Sequence, residues 1–207
     1  MEIILIVFAI LQGARVSLAS SHEIRACIDD TIIPREFLAD KPRCVQFETA
    51  FLEEVRSSKI LSEFFDFSQI SGQEFSRKVE PYAVSVFKTY RIPNPVQLAH
   101  SCVDPISHCH KPLSMPILAR VYGNTMAKIA FLAGVLDDDN AVSMALTYAN
   151  IFREIVKQYE SSDPDWKFKA LIKSCLDFMD TVHITLKEFA PLSVLIYANE
   201  WKLVDSS

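Results

Sequence analysis

His100, Cys102, His108, Cys109 and His110 fall within eleven residues of one another, the densest grouping of potential metal ligands and nucleophiles in the chain. Imidazole and thiolate are the donors that zinc prefers, but this spacing fits no finger or knuckle pattern. Pro93, Pro95, Pro105 and Pro112 break the same passage and deny it the backbone regularity that would hold four ligands in a tetrahedron. The same side chains would serve as nucleophile and base only beside a glycine turn that shapes an oxyanion hole, or beside a phosphate loop, and neither accompanies them. A second candidate is the acidic run Asp137, Asp138, Asp139 with Asn140. A calcium loop needs alternating ligands, a central glycine and a closing glutamate, so the run reads instead as a polar turn that caps a following helix. No catalytic residue, metal ligand or cofactor is therefore assigned, and the chain reads as a binding protein rather than an enzyme.

The bulk properties agree. The chain has 207 residues, half of them apolar, and a formal charge of -5. That composition supports one ordinary core and argues against disorder. The absence of any Lys/Arg run removes the electrostatic footprint that nucleic acid requires. Ile3 to Leu11 is a continuous apolar run, too short to span a bilayer but suited to a signal-peptide core, with Ser17, Ala19 and Ser20 as small residues near a cleavage point and Glu2 in place of the usual positive start. Residues 1–21 are read as a hydrophobic targeting or anchoring segment, and 27–201 as a single domain. Leu192 to Trp201 is short and ends in Asn199 and Glu200, so no C-terminal tail anchor is expected. The five cysteines, Cys27, Cys44, Cys102, Cys109 and Cys175, are odd in number and irregularly spaced, which implies no disulfide framework.

Only four glycines occur, and apolar residues recur at three- and four-residue spacing, which predicts an all-α fold. Val45 to Leu61 reads as one helix with Phe47, Ala50, Phe51 and Val55 on one face, and Leu61 to Val79 as a Phe-rich helical continuation. Arg91 to Met115 is loop-rich. Pro116 suits the first turn of a helix over Ile117 to Val135, apolar nearly all round apart from Lys128 and hence buried. The acidic turn then joins it as a hairpin to an amphipathic helix with Met144, Tyr148, Ile151, Phe152, Ile155 and Tyr159 in one stripe. Asp163 caps, and Pro164 opens, a last helix whose pattern runs from Trp166 through Leu171, Cys175 and Met179 to Leu186, with Pro191 ending it.

Three segments carry a further resemblance. Ser71-Gly72-Gln73-Glu74-Phe75-Ser76-Arg77 joins a glycine, an acidic residue and a phenylalanine on an amphipathic helix. Val121 to Val135, VYGNTMAKIAFLAGV, opens on an aromatic-Gly pair and carries small residues about ten positions later, and Trp166 follows Tyr122 by forty-four residues in Pro164-Asp165-Trp166-Lys167-Phe168. In this order and spacing they resemble the third, first and second homology segments of the Bcl-2 family of apoptosis regulators, over about half of the chain. The resemblance implies a Bcl-2-like helical bundle around a buried hydrophobic helix hairpin. It also implies a groove lined by Gly72, Phe75, Tyr122, Gly123, Asn124, Ala127 and Phe131, with Trp166 and Phe168 as structural residues. Partners would be amphipathic helices of pro-apoptotic members of that family. Location would be intracellular and membrane-associated, at the mitochondrion or endoplasmic reticulum, through the N-terminal segment.

Departures refine the expectation. Asn124 stands where the family has an arginine that pairs with an aspartate of the bound helix, so a charge-assisted contact is replaced by a neutral one. Ser68 and Gln73 stand where a ligand-type helix carries its leucine and aspartate, which favours an inhibitor of cell death over a promoter. The alternative from the residues alone is a secreted all-helical binding protein for a lipid or host-protein ligand, with its first segment removed and one or two disulfides formed.

Overall fold

The computed structural model describes residues 42–66, 70–92, 94–96, 112 and 115–189. The N-terminal apolar segment, Ser68, the His100 to His110 cluster and the stretch from Pro191 lie outside them. Among the described residues the fold is all-helical, and the only β pairing is an isolated antiparallel bridge between Ser71 and Pro112. Six helices follow in order: α1 Pro42–Ser57, α2 Lys59–Phe64, α3 Gly72–Thr89, α4 Met115–Leu132, α5 Ala141–Tyr159 and α6 Trp166–Thr181.

α1 begins on a proline, whose missing N–H is needed by no helical bond at that position. It buries Cys44, Phe47, Glu48, Phe51, Leu52 and Val55, an unbroken three-and-four stripe. The predicted single helix to Leu61 is corrected: Ser58 interrupts it and becomes the N-cap of α2, its hydroxyl accepting from the Leu61 N–H at 3.4 Å. α3 starts with the Ser71 hydroxyl accepting from the Glu74 N–H at 3.1 Å and runs ten residues past Val79, through an exposed Pro81, to Thr89.

α4 is buried as expected. Leu118, Ala119, Val121, Tyr122, Met126, Ala127, Ile129 and Ala130 are enclosed, and so are Asn124 and Lys128. Gly134 ends the segment in the left-handed region at φ 73°, with the Val135 N–H returning to the Ala130 carbonyl and the Gly134 N–H to that of Phe131, both at 3.0 Å. This is a Schellman cap, and glycine suits it because no Cβ opposes the carbonyl. Asp137 then accepts the Asp139 and Asn140 N–H groups, while Asn140 donates to the Val135 carbonyl at 2.7 Å.

The hairpin arrangement is corrected. α4 and α5 are not packed along each other; α1 lies between them as the central helix, packed on α4 on one side and α5 on the other, while α5 also packs on α6 and α3 packs mainly on α6. The buried face of α5 is accordingly rotated from the predicted stripe: Ala141, Ala145, Ala149 and Val156 are enclosed with Tyr148, Phe152 and Ile155, and Met144, Ile151 and Tyr159 are only half-buried. Alanines at these positions let two neighbours approach one helix closely. Between α1, α2, α5 and α6 sits an aromatic core, with ring centroids 5.0 Å apart for Phe51 and Tyr148, 4.6 Å for Phe64 and Phe152, and 4.8 Å for Tyr148 and Phe178. Each such pair contributes about 1 kcal/mol beyond area burial. Arg153 ties the outer edge, paired with Glu54 and donating to the Ser58 hydroxyl.

The last helix also differs from expectation. It starts at Trp166, after Asp165 rather than Asp163, and ends at Thr181 instead of continuing to Leu186. His183 adopts φ 59°, the Ile184 N–H returning to the Met179 carbonyl at 2.8 Å, and Thr185 with Glu188 forms a reciprocal capping box for a further helical turn at 186–189. A side chain bearing a Cβ is strained in that conformation. His183→Gly is therefore expected to raise stability by about 1 kcal/mol in urea unfolding, and His183→Val to lower it; equal stability of all three forms would contradict the cap assignment.

Candidate functional site

Gly123 and Ala127, two of the residues singled out for a groove, lie on the face of α4 that meets α1, with Phe131 at the same interface. A Cβ added at Gly123 would stand 2.5 Å from Cδ1 of Phe51, whose ring is itself buried in the aromatic core. Near Ala127 the Cys44 Sγ lies 4.0 Å from the Ala127 carbonyl oxygen. At Phe131 the Arg43 guanidinium sits 4.7 Å above the ring and donates to the Leu136 carbonyl at 3.2 Å. These residues hold two helices together.

Asn124 is fully enclosed, and among the described residues neither its Oδ1 nor its Nδ2 has a hydrogen-bond partner. An orphaned buried amide costs about 1 to 3 kcal/mol. One turn earlier, Arg120 crosses to α1 and pairs with the nearly buried Glu48, Nε to Oε1 at 3.1 Å. Neither Glu48 nor Arg120 stood out in the sequence, because a lone carboxylate on a helix and a lone arginine on another reveal their pairing only once the two helices are placed side by side.

Gly72 and Phe75 belong to a different neighbourhood. α3 lies on α6, with the Phe75 and Phe168 rings 5.7 Å apart and Lys78 Nζ at 5.7 Å from the Phe168 ring. Further along, the Tyr82 hydroxyl donates to Oδ2 of Asp165 at 2.6 Å, so the N-cap residue of α6 spends its carboxylate on α3 and makes no side-chain cap bond. That bond and the surrounding carboxylates push the Tyr82 phenol up to about 12. Lys169 completes the group, paired with Asp163 and 5.5 Å from the Tyr82 ring. Its ammonium holds the Asp163 carboxyl below the ordinary value.

Trp166 is half-buried, edge-on to Phe64 at 6.0 Å, and Phe64 touches Phe65 at 5.3 Å. Phe65 in turn lies 6.0 Å from Tyr122. A seam of rings thus runs from the start of α6 through α2 to the middle of α4. Tyr122 and Trp166 are joined through it, and Phe75 joins the same helix α6 through Phe168; Gly72 and Gly123 are not brought together. Tyr122-Gly123-Asn124 lies inside a continuous helix rather than at its start.

Burial pushes the Cys175 thiol up to about 12, which leaves it inert as a nucleophile at neutral pH. Burial likewise raises the Tyr148 phenol well above its ordinary value. Among the described residues no group of three or more His, Cys, Asp and Glu is arranged to hold a metal ion. No helix there is long and apolar enough to cross a membrane.

Opposite outcomes are expected at neighbouring positions of α4. Gly123→Ala should lower stability by about 1 to 3 kcal/mol, since the enclosed Phe51 ring has little room to yield, whereas Asn124→Leu should raise it by a similar amount, about 1 to 3 kcal/mol, by removing the orphaned amide. Chemical denaturation reads both; an Asn124→Leu protein less stable than the parent would show that the amide is satisfied.

Comparison of the chain with protein-family models, with curated proteins and with solved structures gave no match.

Proposed function

We propose that the chain restrains cell death by capturing an amphipathic helix of a pro-death partner, as the resemblance of its three segments implies. What supports this reading above all is their convergence on α6: Tyr122 reaches Trp166 through the Phe65 and Phe64 rings, and Phe75 meets Phe168 two residues further along the same helix. The two helices assigned as groove walls, α3 and α4, are held by different neighbours, α6 and α1, and are not packed along one another. Two separately anchored walls are what a third helix with apolar residues at i, i+3, i+4 and i+7 needs. Tyr122 and Asn124 are buried in the unbound chain, so capture requires the bundle to open, and in this reading α3, packed chiefly on α6, is the element that gives way. On arrival the polar groups of the incoming helix satisfy the Asn124 amide, a neutral contact weaker than an arginine would give.

In this mechanism the Tyr82–Asp165 bond sets the cost of opening. Titration calorimetry of the full chain with a panel of amphipathic death-ligand helices should show saturable binding tighter than about micromolar. Tyr82→Phe should unfold more easily, by about 1 kcal/mol, yet bind about fivefold more tightly, because a state that needs less opening is more populated. A folded protein that binds none of the panel would sink the proposal, and unchanged affinity in Tyr82→Phe would sink its opening step.

A further inference from the structure

We infer that the outer face of the first half of α5, with the acidic turn that precedes it, is a second docking surface, and that it takes a basic amphipathic helix from another protein. From Ala141 to Phe152, AVSMALTYANIF, there is no charged residue, although the outward positions of this stretch face solvent. They are Val142, 50 % exposed, Ser143, Leu146, 40 % exposed, Thr147 and Asn150. Scattered single apolar residues on a surface are ordinary, but a solvent-facing helix side that carries no Lys or Glu over three turns is not. Two of its polar groups are already engaged: the Thr147 hydroxyl donates to the Ser143 carbonyl at 2.8 Å, and Asn150 Oδ1 accepts from Arg153 at 2.7 Å. The face therefore offers methyl groups more than hydrogen bonds. Leu132, at the end of α4, is another exposed apolar side chain, 42 % accessible, placed just before the turn that leads into α5.

Charge identifies the occupant. The turn beside this face carries Asp137, Asp138 and Asp139, all exposed. Asp137 is used by two backbone N–H groups and Asp138 reaches Arg43 at 3.9 Å, but the Asp139 carboxylate makes no side-chain contact among the described residues. On a chain of formal charge -5, an uncharged apolar strip that ends in carboxylates repels an anionic bilayer and attracts cations. A helix with leucine-like residues four apart would meet Val142 and Leu146, and lysines or arginines one or two turns away would meet Asp138 and Asp139. This surface is separate from the Phe75 and Trp166 neighbourhood and does not depend on the proposed groove.

The probe is a fluorescein-labelled amphipathic helix of about eighteen residues, leucine on one face and lysine on its flanks, with a twin carrying glutamate in place of every lysine. Anisotropy with the full chain should show the lysine probe binding in the micromolar range and weakening as salt is raised, with the glutamate twin at least about tenfold weaker. Leu146→Ser and Asp139→Asn should each weaken the lysine probe by about threefold or more, while Ser85→Ala, an exposed change on α3, leaves it unchanged. Both substitutions on this face are of exposed side chains, and circular dichroism verifies that the variants stay folded. Equal binding of the two probes, or indifference to Leu146→Ser, would overturn the assignment. So would self-association in sedimentation, or binding to vesicles of phosphatidylserine and phosphatidylcholine, if Leu146→Ser abolished either one while leaving the lysine probe in place.

Discussion

The contact on which the rest of the structure depends is the close approach of α1 and α4 at Gly123. Without a side chain there, the Phe51 ring lies directly against the α4 backbone, and from that position it stacks on Tyr148 of α5. One phenylalanine thus couples the two helices that α1 separates. Close-packed interiors transmit a misplaced methyl to every neighbour, so the glycine governs more than its own contact. With α1 fixed, α2 and α5 close over the remaining aromatic residues and α5 supplies the platform for α6.

The interior also holds polar groups that an apolar design would omit. The Arg120–Glu48 pair is largely enclosed, and such pairs seldom exceed in attraction what their desolvation costs. What they provide is register, since sliding α1 along α4 breaks this pair. Asn124 differs in having nothing to set its orientation. An orphaned amide in the middle of the most apolar helix lowers the stability of the closed bundle. In the proposed mechanism the same amide favours the bound state, where a partner supplies its hydrogen bonds. In that mechanism α3 is the element that moves, since among the described residues it packs chiefly on α6, through the Phe75–Phe168 ring pair, the Lys78 and Lys169 ring contacts and the Tyr82–Asp165 bond.

Periodicity made the helical class, the burial of α4 and the polar turn before α5 legible, because each depends on residues near one another in the chain. The boundaries it missed have local causes that compete with periodicity. Ser58 caps a new helix inside an apolar run, Pro81 is tolerated at an exposed position, and His183 takes a conformation usually left to glycine. The centrality of α1 was not legible. Its stripe of apolar residues looks like that of any surface helix, and only the small residues on its neighbours, Gly123 on one side and Ala141, Ala145 and Ala149 on the other, allow both to reach it. Among the site residues, Gly123 and Ala127 were legible as small positions that a neighbouring helix approaches closely, but not that the neighbour is α1. Tyr82 escaped notice because its partner, Asp165, lies 83 residues further along the chain, and only the packing of α3 on α6 brings the two together.

α1, packed on both α4 and α5, is the hub of the bundle, and in the proposed mechanism α3 is the wall that releases. Amide hydrogen exchange of the full chain under native conditions measures the opening free energy of each helix directly. The account predicts the slowest exchange in α1 and in the parts of α4 and α5 that pack on it, with α3 opening at a distinctly lower free energy and lower still in Tyr82→Phe. Protection in α3 equal to that of α1, or an α1 that exchanges before α3, would contradict it.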